Sequence, residues 1–403
     1  MQYAGLSRFH LRTSRRSLIL GSVALALAPR VGLAQPPGFS QFLASLRPAA
    51  EAAGVSPETF DAATSGLEPE PAVLSRPATQ SEFTVSIPTY VAGAVTPARI
   101  AAGRSLAREL APTLRKVERD SGVPSEIALA ILGIESNFGQ ATGGADALRV
   151  LATLAFTGHM REKLSEEFVA ALVMLQQGVP RARLRGSWAG ALGMPQFLPS
   201  AYLRHAVSAS GAAAPDIWTS RADSLASIAN FLKQSGWEPS LPWAVEARAP
   251  AGYGYPRLDA DFTAFRAEGI AGAGGRELPT QGAASVYLPT GAAGPLFLIT
   301  DNFEVIRQYN TSDAYALAVG ILADRIAGRS TPATPWPKVA PLATADVKRL
   351  QEALAGRGLY EGPIDGKLGR KARNAIHAFQ LAAGVRPADG FASRTLLARV
   401  LQE

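Results

Sequence analysis

The stretch GVPSEIALAILGIESNFG, residues 122–139, carries an acidic residue where an apolar one is expected. Pro124 suits the first turn of a helix, and the residues that follow are almost all apolar. At about 100° per residue, Glu135 lies about 40° from Ile131 around this helix, close to the other isoleucines. Glu135 is therefore predicted to lie on the apolar face, in the last turn before a glycine ends the helix.

Two interpretations of Glu135 are open at this point. In the first, it caps the helix or pairs with a basic residue at the helix end, as buried acids often do. In the second, apolar surroundings keep its carboxyl group protonated, so that it can donate a proton as a general acid. The stretch alone slightly favours the structural interpretation, because a single glutamate is weak evidence for catalysis.

A second stretch, RGSWAGALGMPQFLPSAYLRHAV at residues 185–207, has the composition of a binding loop. Its glycines allow the backbone to approach a ligand closely. Ser187 and Gln196 offer hydrogen bonds, while Trp188 and Phe197 offer flat apolar faces. Such a mixture suits sugars, because their hydroxyl and N-acetyl groups need polar partners and their ring faces need apolar ones. A glycine-rich loop with a purely structural role is the alternative.

The N-terminal segment, residues 1–34, has the features of an export signal. A basic start is followed by an apolar run over residues 18–28, and small residues precede a predicted cleavage site before Gln35. The run is too short to span a membrane. The pair Arg15 and Arg16 predicts the twin-arginine route, with the ordinary secretory route as the alternative. We therefore expect the mature protein to act in the periplasm.

The composition excludes several classes of protein. The chain has 403 residues and no cysteine, so disulfides, thiol catalysis and a lipid anchor on an N-terminal cysteine are excluded. The signal segment contains five arginines and no acidic residue, so the formal net charge of +7 falls to +2 in the mature chain. That small charge gives no reason to expect nucleic acid as a partner. Four histidines and no HExxH pattern give no sign of a zinc site.

Composition and periodicity divide the mature chain into a large domain over residues 35–328, a linker over 329–344 and a small domain over 345–403. Four prolines between positions 332 and 341 predict an extended, semi-rigid linker. Most of the large domain repeats apolar residues every three or four positions, which predicts helices, including one over residues 98–122. Two β-type runs around TGAAG predict a hairpin. The predicted fold class is mainly α (α+β), with a small β element.

The small domain has three segments with helical periodicity: DVKRLQEALAGRGLY, RKARNAIHAFQLAAG and SRTLLARVL. It contains ten Lys/Arg and six Asp/Glu, so it is the basic part of the mature chain. This charge would suit an anionic polymer. An ordinary solvated surface explains it at least as well.

Four motifs stand in an order that is typical of one enzyme family: GIESNFG, GSWAGALGMPQFLPS, DIWTSRADSLASIANFL and YNTSDAYALAVGILADRI. Together they resemble the lytic murein transglycosylases of type B, glycoside hydrolase family 103, over residues 38–328. Residues 345–403 separately resemble the three-helix peptidoglycan-binding domain, with LQEALAGRGLYEGPIDGKLG and AIHAFQ as its motifs. The resemblance implies a lysozyme-like catalytic domain followed by a wall-binding domain.

The resemblance also implies a role for each candidate residue. Glu135 would protonate the glycosidic oxygen between MurNAc and GlcNAc and then, as a base, help the C6 hydroxyl to form a 1,6-anhydro sugar. Ser187 and Gln196 would bind the sugar near the cleaved bond, and Tyr309 and Asn310 would orient its N-acetyl group or Glu135. No cofactor is implied. A hydrolytic muramidase and a non-catalytic wall-binding protein are the alternatives.

Peptidoglycan glycan strands are the partner that the resemblance implies, and we expect the chain to be a monomer. The small domain would concentrate the enzyme on its polymer without taking part in the chemistry. This expectation rests on the proline-rich linker and on the absence of a second acid motif beyond it.

Some members of the family carry a calcium-binding loop after the second motif. The corresponding segment here is VSASGAAAPDIW, residues 207–218, with three consecutive alanines. Calcium requires several oxygen ligands, including carboxylates, at alternate positions of a short loop. Asp216 is the only acid in this segment, and Asp223 follows it. We therefore predict that the loop holds no metal and that packing fixes its turn.

Overall fold

A computed structural model describes residues 38–75, 85–158, 160–330 and 332–402. The predicted export signal lies outside these residues. Within the described ranges, every helix falls short of the length and apolar character needed to cross a membrane.

The first part of the large domain is helical. Its elements are α1 (Phe39–Ser45), α2 (Arg47–Ala52), α3 (Pro57–Thr64), α4 (Pro71–Leu74), α5 (Ile87–Ala94), α6 (Pro97–Glu109), α7 (Ala111–Ser121) and α8 (Ser125–Ser136). The single helix predicted over residues 98–122 is therefore wrong, because the chain forms α6 and α7 with a break at Leu110. The reason is Pro112, which fits the first turn of a new helix but not a helix interior.

A short antiparallel ribbon and four helices follow. They are β1 (Ala145–Asp146), α9 (Ala147–Phe156), α10 (Arg161–Gln176), β2 (Arg185–Gly186), α11 (Pro199–His205) and α12 (Arg221–Gln234). Strand β1 pairs with β2 and so joins the loop after α8 to the glycine-rich segment after α10. This ribbon brings the first two sequence motifs together.

The remainder of the large domain contains a five-stranded antiparallel sheet. Its elements are β3 (Ala244–Arg248), β4 (Asp259–Asp261), α13 (Phe262–Ala267), β5 (Ala271–Gly272), β6 (Ala283–Tyr287), β7 (Leu296–Ile299), α14 (Asp301–Tyr309) and α15 (Asp313–Ile326). The strand order is β4-β6-β7-β3-β5. Strands β6 and β7 form the predicted hairpin, with Val286 opposite Leu298.

Helix α8 lies in the centre of the large domain, against α6, α7, α12 and α15. Every residue from Ile127 to Ser136 is buried, which includes Glu135 at 3% exposure. The burial of Glu135 is as predicted, but the predicted one-sided apolar face is wrong. Because helices cover α8 on several sides, it is apolar around almost its whole circumference.

The small domain consists of α16 (Thr344–Gly356), α17 (Arg370–Ala382) and α18 (Arg394–Gln402), as predicted. Its separate core includes Leu350 from α16, Ile376 and Phe379 from α17, and Val400 from α18. These side chains recur at three- and four-residue spacing, so each helix turns one apolar face toward the other two.

The segment between the two domains, which we call the strap (residues 332–343), lies on the large domain without helix or strand structure. The buried carboxylate of Glu246 in β3 accepts the backbone N–H groups of Ala333 at 2.6 Å and Thr334 at 2.8 Å. The indole of Trp336 packs against the core of the large domain. The strap is therefore bound along its path by specific contacts.

Candidate active site

The chain reverses its direction immediately after Glu135. Asn137, Phe138 and Gly139 all have positive φ values, of 49°, 59° and 90°. Positive φ is costly for a large side chain such as phenylalanine, so surrounding contacts must hold this turn. The Ser136 hydroxyl contributes one of them, because it accepts the N–H of Gly139 at 3.0 Å. This turn places Glu135 at the end of a buried helix and next to a loop.

The ring of Phe138 folds back onto α8 and explains the glycine inside that helix. A Cβ atom on Gly133 would lie 2.7 Å from the Phe138 ring, and one on Gly103 in α6 would lie 3.2 Å from it. Both distances are shorter than ordinary carbon–carbon contacts. The two glycines thus make the space in which Phe138 holds the end of α8.

The glycine-rich segment of the second motif lies directly against the loop that follows Glu135. A Cβ atom on Gly143 would lie only 2.1 Å from the carbonyl oxygen of Gly186, so the two backbones touch. Gln196 bridges the same elements, since its Nε2 donates to the carbonyls of Thr142 at 3.1 Å and Gly193 at 2.8 Å. The structure therefore brings Gln196 to the loop of the catalytic candidate, and its role toward a sugar stays a prediction.

Ser187 is buried in the same segment and stabilises its turn. Its Oγ accepts the backbone N–H groups of Ala189 at 3.3 Å and Ala191 at 3.1 Å. A hydroxyl that accepts two bonds still has its own proton to donate. Ser187 can thus donate to an acceptor oxygen from a position that its own loop fixes.

The two aromatic residues of this segment differ in exposure. Trp188 is half-buried, and its predicted role toward a sugar stays a prediction. Phe197 is fully buried, with its ring against those of Phe231 and Tyr309. The prediction that Phe197 offers an apolar face to a sugar is therefore wrong, because tertiary packing already covers the ring.

A tyrosine that the sequence analysis did not select makes the most direct contact with Glu135. The hydroxyl of Tyr315, in the first turn of α15, donates to Glu135 Oε1 at 2.6 Å, and both side chains are buried. Burial, followed by the nearby charge of Glu135, raises the pKa of Tyr315 well above its usual value. The phenol therefore remains a neutral hydrogen-bond donor.

Tyr309 packs against Tyr315 in the same buried region. Its ring stacks on that of Tyr315 with centroids 6.4 Å apart, and its hydroxyl donates to the carbonyl of Pro195 at 2.7 Å. Tyr309 is fully buried, and burial followed by the charge of Glu135 raises its pKa as well. Its geometry suits the positioning of Tyr315 and of the Pro195–Gln196 turn.

Asn310 follows α14 and is 4% exposed. Its side-chain nitrogen Nδ2 is buried and has no hydrogen-bond partner among the described residues. A buried amide donor without a partner costs about 1–3 kcal/mol, so such a group is a candidate to be satisfied by a bound molecule. The role of Asn310 toward a ligand stays a prediction.

The other buried carboxylates of the described ranges are each held by structural partners. Glu167 accepts the backbone N–H and the hydroxyl of Ser200, Asp223 accepts backbone N–H groups, Glu246 holds the strap, and Asp324 pairs with two arginines. Glu135 lies at the end of α8, beside the loop that packs against the glycine-rich segment, and the neutral hydroxyl of Tyr315 donates to its Oε1. This position makes it the candidate for proton transfer.

The segment 207–218 does not fit a calcium ion. Both oxygens of Asp223 accept backbone N–H groups, of Ala209 at 3.0 Å and Asp216 at 2.8 Å. Asp216 Oδ1 accepts the N–H groups of Trp218 and Thr219, both at 2.9 Å. The described residues also contain no group of three or more His, Cys, Asp or Glu side chains that could hold a metal ion. Backbone contacts have the role here that a cation would have in a calcium loop.

We predict that calcium does not change the stability of this protein, because a ligand stabilises a fold only if the fold binds it. Thermal unfolding in excess calcium and in a chelator should give the same midpoint. A midpoint several degrees higher in calcium would show that the carboxylates of Asp216 and Asp223 rearrange to bind it.

The fold and the site define a class: a helical, lysozyme-like domain in which a central helix ends in one buried glutamate. The family described as "Transglycosylase SLT domain" matches residues 38–324, and a peptidoglycan binding domain matches residues 343–400. The chain therefore belongs to the transglycosylase SLT domain family. The predicted fold class is confirmed, as is the small domain of three helices.

Individual relatives agree with this assignment. The chain is 33% identical to the membrane-bound lytic murein transglycosylase B of Escherichia coli K12 over 241 residues, which are 58% of this chain and 65% of that protein. It thus spans a little under two thirds of that relative. A crystal structure of SltB3 from Pseudomonas aeruginosa, in complex with NAG-anhNAM-pentapeptide, has 40% identity and a TM-score of 0.81 and covers 90% of this chain and 99% of its own.

A third relative has been solved in complex with calcium. The Escherichia coli lytic transglycosylase Slt35, in complex with calcium, has 26% identity and a TM-score of 0.59. The similarity covers 75% of this chain and 98% of that one. The two proteins share the fold, but calcium binding also requires oxygen ligands, and the segment 207–218 does not supply them.

Proposed function

We propose that this protein is a lytic transglycosylase of peptidoglycan. It cleaves the β-1,4 bond between MurNAc and GlcNAc without water and leaves a 1,6-anhydro-MurNAc end. The observation that carries the proposal is the buried hydrogen bond between Tyr315 and Glu135 at the end of α8, beside the glycine-rich segment. The complex of SltB3 with a NAG-anhNAM-pentapeptide supports the same product class.

In the first step Glu135 acts as an acid. Because Oε1 accepts the Tyr315 hydroxyl, the transferable proton is expected on Oε2. It moves to the glycosidic oxygen while the bond from this oxygen to C1 of MurNAc breaks, so GlcNAc leaves as an alcohol. Positive charge develops at C1, and the N-acetyl oxygen of the same sugar stabilises it.

In the second step the carboxylate of Glu135 acts as a base. It removes the proton of the C6 hydroxyl as O6 bonds to C1, which closes the anhydro ring and returns Glu135 to its acid form. Intramolecular hydroxyls can reach effective molarities of about 10⁵ M or more, which far exceeds the molarity of liquid water. One carboxyl group is then sufficient, whereas hydrolysis needs a second one to act on water or on C1.

We assign sugar binding to side chains that have a donor or acceptor atom to offer to a sugar. Ser187 offers its hydroxyl proton, and Asn310 offers its buried Nδ2. The amide nitrogen of Gln196 is bonded to backbone carbonyls, so its amide oxygen is the atom that can accept a sugar hydroxyl. Tyr309 acts through Tyr315 and Pro195 instead of touching the sugar.

The test of this function is the chemistry of the product ends. Purified sacculi digested by the protein should release muropeptides with anhydro ends, detected by mass spectrometry. Free reducing ends would show a hydrolytic muramidase, and binding without release would show a non-catalytic wall-binding protein. Either result would overturn the proposal.

The place of action follows from the same substrate. We propose that the chain is exported by its N-terminal segment, residues 1–34, and acts on peptidoglycan in the periplasm as a monomer. One relative is a membrane-bound lytic murein transglycosylase, which supports the same substrate. A precursor with both Arg15 and Arg16 replaced by lysine should accumulate in the cytoplasm if the twin-arginine route is used, and export of that precursor would indicate the secretory route.

The small domain is expected to raise the local concentration of the enzyme on intact wall. A chain that ends at Lys338 keeps the strap residues that cover Glu246, so it is a better test than one that ends at Gly328. The shortened chain should sediment less with sacculi than the full chain but still cleave soluble glycan strands. Equal sedimentation of the two folded chains would remove this role from the small domain.

A further inference from the structure

The small domain is docked against the large domain through helix α17. Arg370 Nη2 lies 2.8 Å from Asp259 Oδ1 of β4, and the side-chain nitrogen of Asn374 donates to the other oxygen of Asp259 at 3.2 Å. His377 Nε2 donates to the carbonyl of Tyr255 at 2.8 Å. These contacts fix the orientation of α17 on the sheet side of the large domain.

One residue of this interface, Arg373, is different from the others. Its side chain is 9% exposed, whereas the side chain of Arg370 on the same helix is 44% exposed. Its guanidinium donates to Asp313 Oδ2 of the large domain and lies 4.5 Å from the centroid of the Tyr287 ring. A buried ion pair of this kind is strongly dependent on both partners, because either charge alone would be buried without compensation.

Asp313 is held between two arginines that come from different domains. Arg373 belongs to the small domain, and Arg307 of α14 has its Nε atom 2.6 Å from Asp313 Oδ1. Burial alone would lower the pKa of Arg307, but Asp313 and Glu304 raise it overall, so its guanidinium stays charged. Glu304 also pairs with Arg307, and the hydroxyl of Tyr287 is a further large-domain partner of Asp313. Arg373 is the contact that the small domain adds to this carboxylate.

The position of Asp313 connects this cluster to the active site. It is the first residue of α15, and the helix is capped by Ser312, whose Oγ accepts the N–H of Tyr315 at 3.3 Å. Asp313 and Tyr315 are two residues apart, so their side chains leave the helix in nearly opposite directions. One side of this turn thus contacts Arg373, and the other side donates a hydrogen bond to Glu135.

We infer that Arg373 is a positioning residue for catalysis, supplied by the small domain to the active-site turn of the large domain. Through Asp313 it holds the first turn of α15 where Tyr315 can donate to Glu135 and where the preceding Asn310 faces a bound sugar. The inference rests on the proposed lytic activity of Glu135. It gives the small domain a second role besides the binding of intact wall.

The test compares two substitutions in the full chain, Arg373→Met and Arg370→Met, on a short soluble glycan. Arg373→Met removes the charge next to Asp313, and we expect kcat to fall about twofold to thirtyfold with little change in KM. Arg370→Met removes interface contacts to β4 and to the exposed Asp301 at the start of α14, neither of which involves α15, and should leave kcat unchanged. Equal kcat values for wild type and a folded Arg373→Met protein would overturn the inference, as would equal losses in both variants.

A double-mutant cycle separates positioning from simple loss of stability. In an Asp313→Asn background, Arg373→Met should cause little further loss of kcat, because its partner is already absent. Arg373→Lys keeps the charge and should retain an intermediate kcat. If Arg373→Met does not fold, the same cycle with Arg373→Lys decides the question, and additive losses would overturn the inference.

The activity of the wild-type chain distinguishes failure of the inference from failure of the proposed function. A wild-type chain that releases no anhydro product would reject the function itself. Anhydro product from wild type together with an unchanged Arg373→Met protein would reject only the positioning role.

Discussion

Replacement of Glu135 with glutamine is expected to reduce the release of anhydromuropeptides from purified sacculi by at least about 10²-fold to 10⁴-fold, with the fold retained. This loss corresponds to about 3–5 kcal/mol of activation free energy. The amide cannot donate an acidic proton in the first step or accept one in the second. In the proposed mechanism one residue serves both steps, so the substitution would remove the acid and the base together.

A matched control for this variant is Glu167→Gln. Glu167 is also a buried glutamate of the large domain, but its oxygens accept the N–H group of Ser200 at 3.0 Å and the hydroxyl of Ser200 at 2.7 Å. Its replacement should lower the unfolding midpoint and leave the specific activity of the folded protein close to wild type. Substantial product release by a folded Glu135→Gln protein would disprove the assignment of the catalytic acid.

The second large effect is expected for Tyr315→Phe. The substitution removes the hydroxyl that donates to Glu135 Oε1 at 2.6 Å and changes little else in the stack with Tyr309. Hydrogen bonds to charged groups contribute about 1.5–3 kcal/mol, so we expect kcat to fall about tenfold to a hundredfold. KM should change less, because the fully buried hydroxyl acts through its hydrogen bond to Glu135.

Tyr202→Phe provides the comparison, since it removes a buried tyrosine hydroxyl that donates to the carbonyl of Pro215 at 3.2 Å and not to the site. Steady-state kinetics on a soluble glycan should show a large loss for Tyr315→Phe and a small one for Tyr202→Phe. If the two variants have the same kcat, the hydrogen bond from Tyr315 has no part in catalysis.

The burial of Glu135 could be predicted from the sequence because its signal is local. An acidic residue among isoleucines at helical spacing is visible within one stretch, and so is the glycine-rich segment that packs against it. The burial of α8 on several sides could not be predicted in the same way. This burial depends on packing against α6, α12 and α15. The apolar surface of α8 is therefore wider than the one-sided face that helical spacing predicts.

The other features of the site could not be predicted because they depend on contacts between residues that are far apart in the sequence. Tyr315 donates to a residue 180 positions before it, and the strap residue Ala333 binds Glu246 from 87 positions away. Neither pair has a local pattern. The nearest sequence signal for Tyr315 is its place after the helix cap Ser312, as a large polar ring among small aliphatic residues. For Phe197 the local sequence pattern indicated sugar binding, but the ring packs against Phe231 and Tyr309 instead.

The turn that ends α8 has a consequence for how this protein can evolve. The Phe138 ring occupies the space above Gly133, where a Cβ atom would lie 2.7 Å from it. A methyl group at position 133 therefore requires the Phe138 ring to move or a smaller side chain at position 138, and either change would loosen the end of the helix that carries Glu135. Positions 133 and 138 are expected to covary between lineages, although neither has a part in the chemistry.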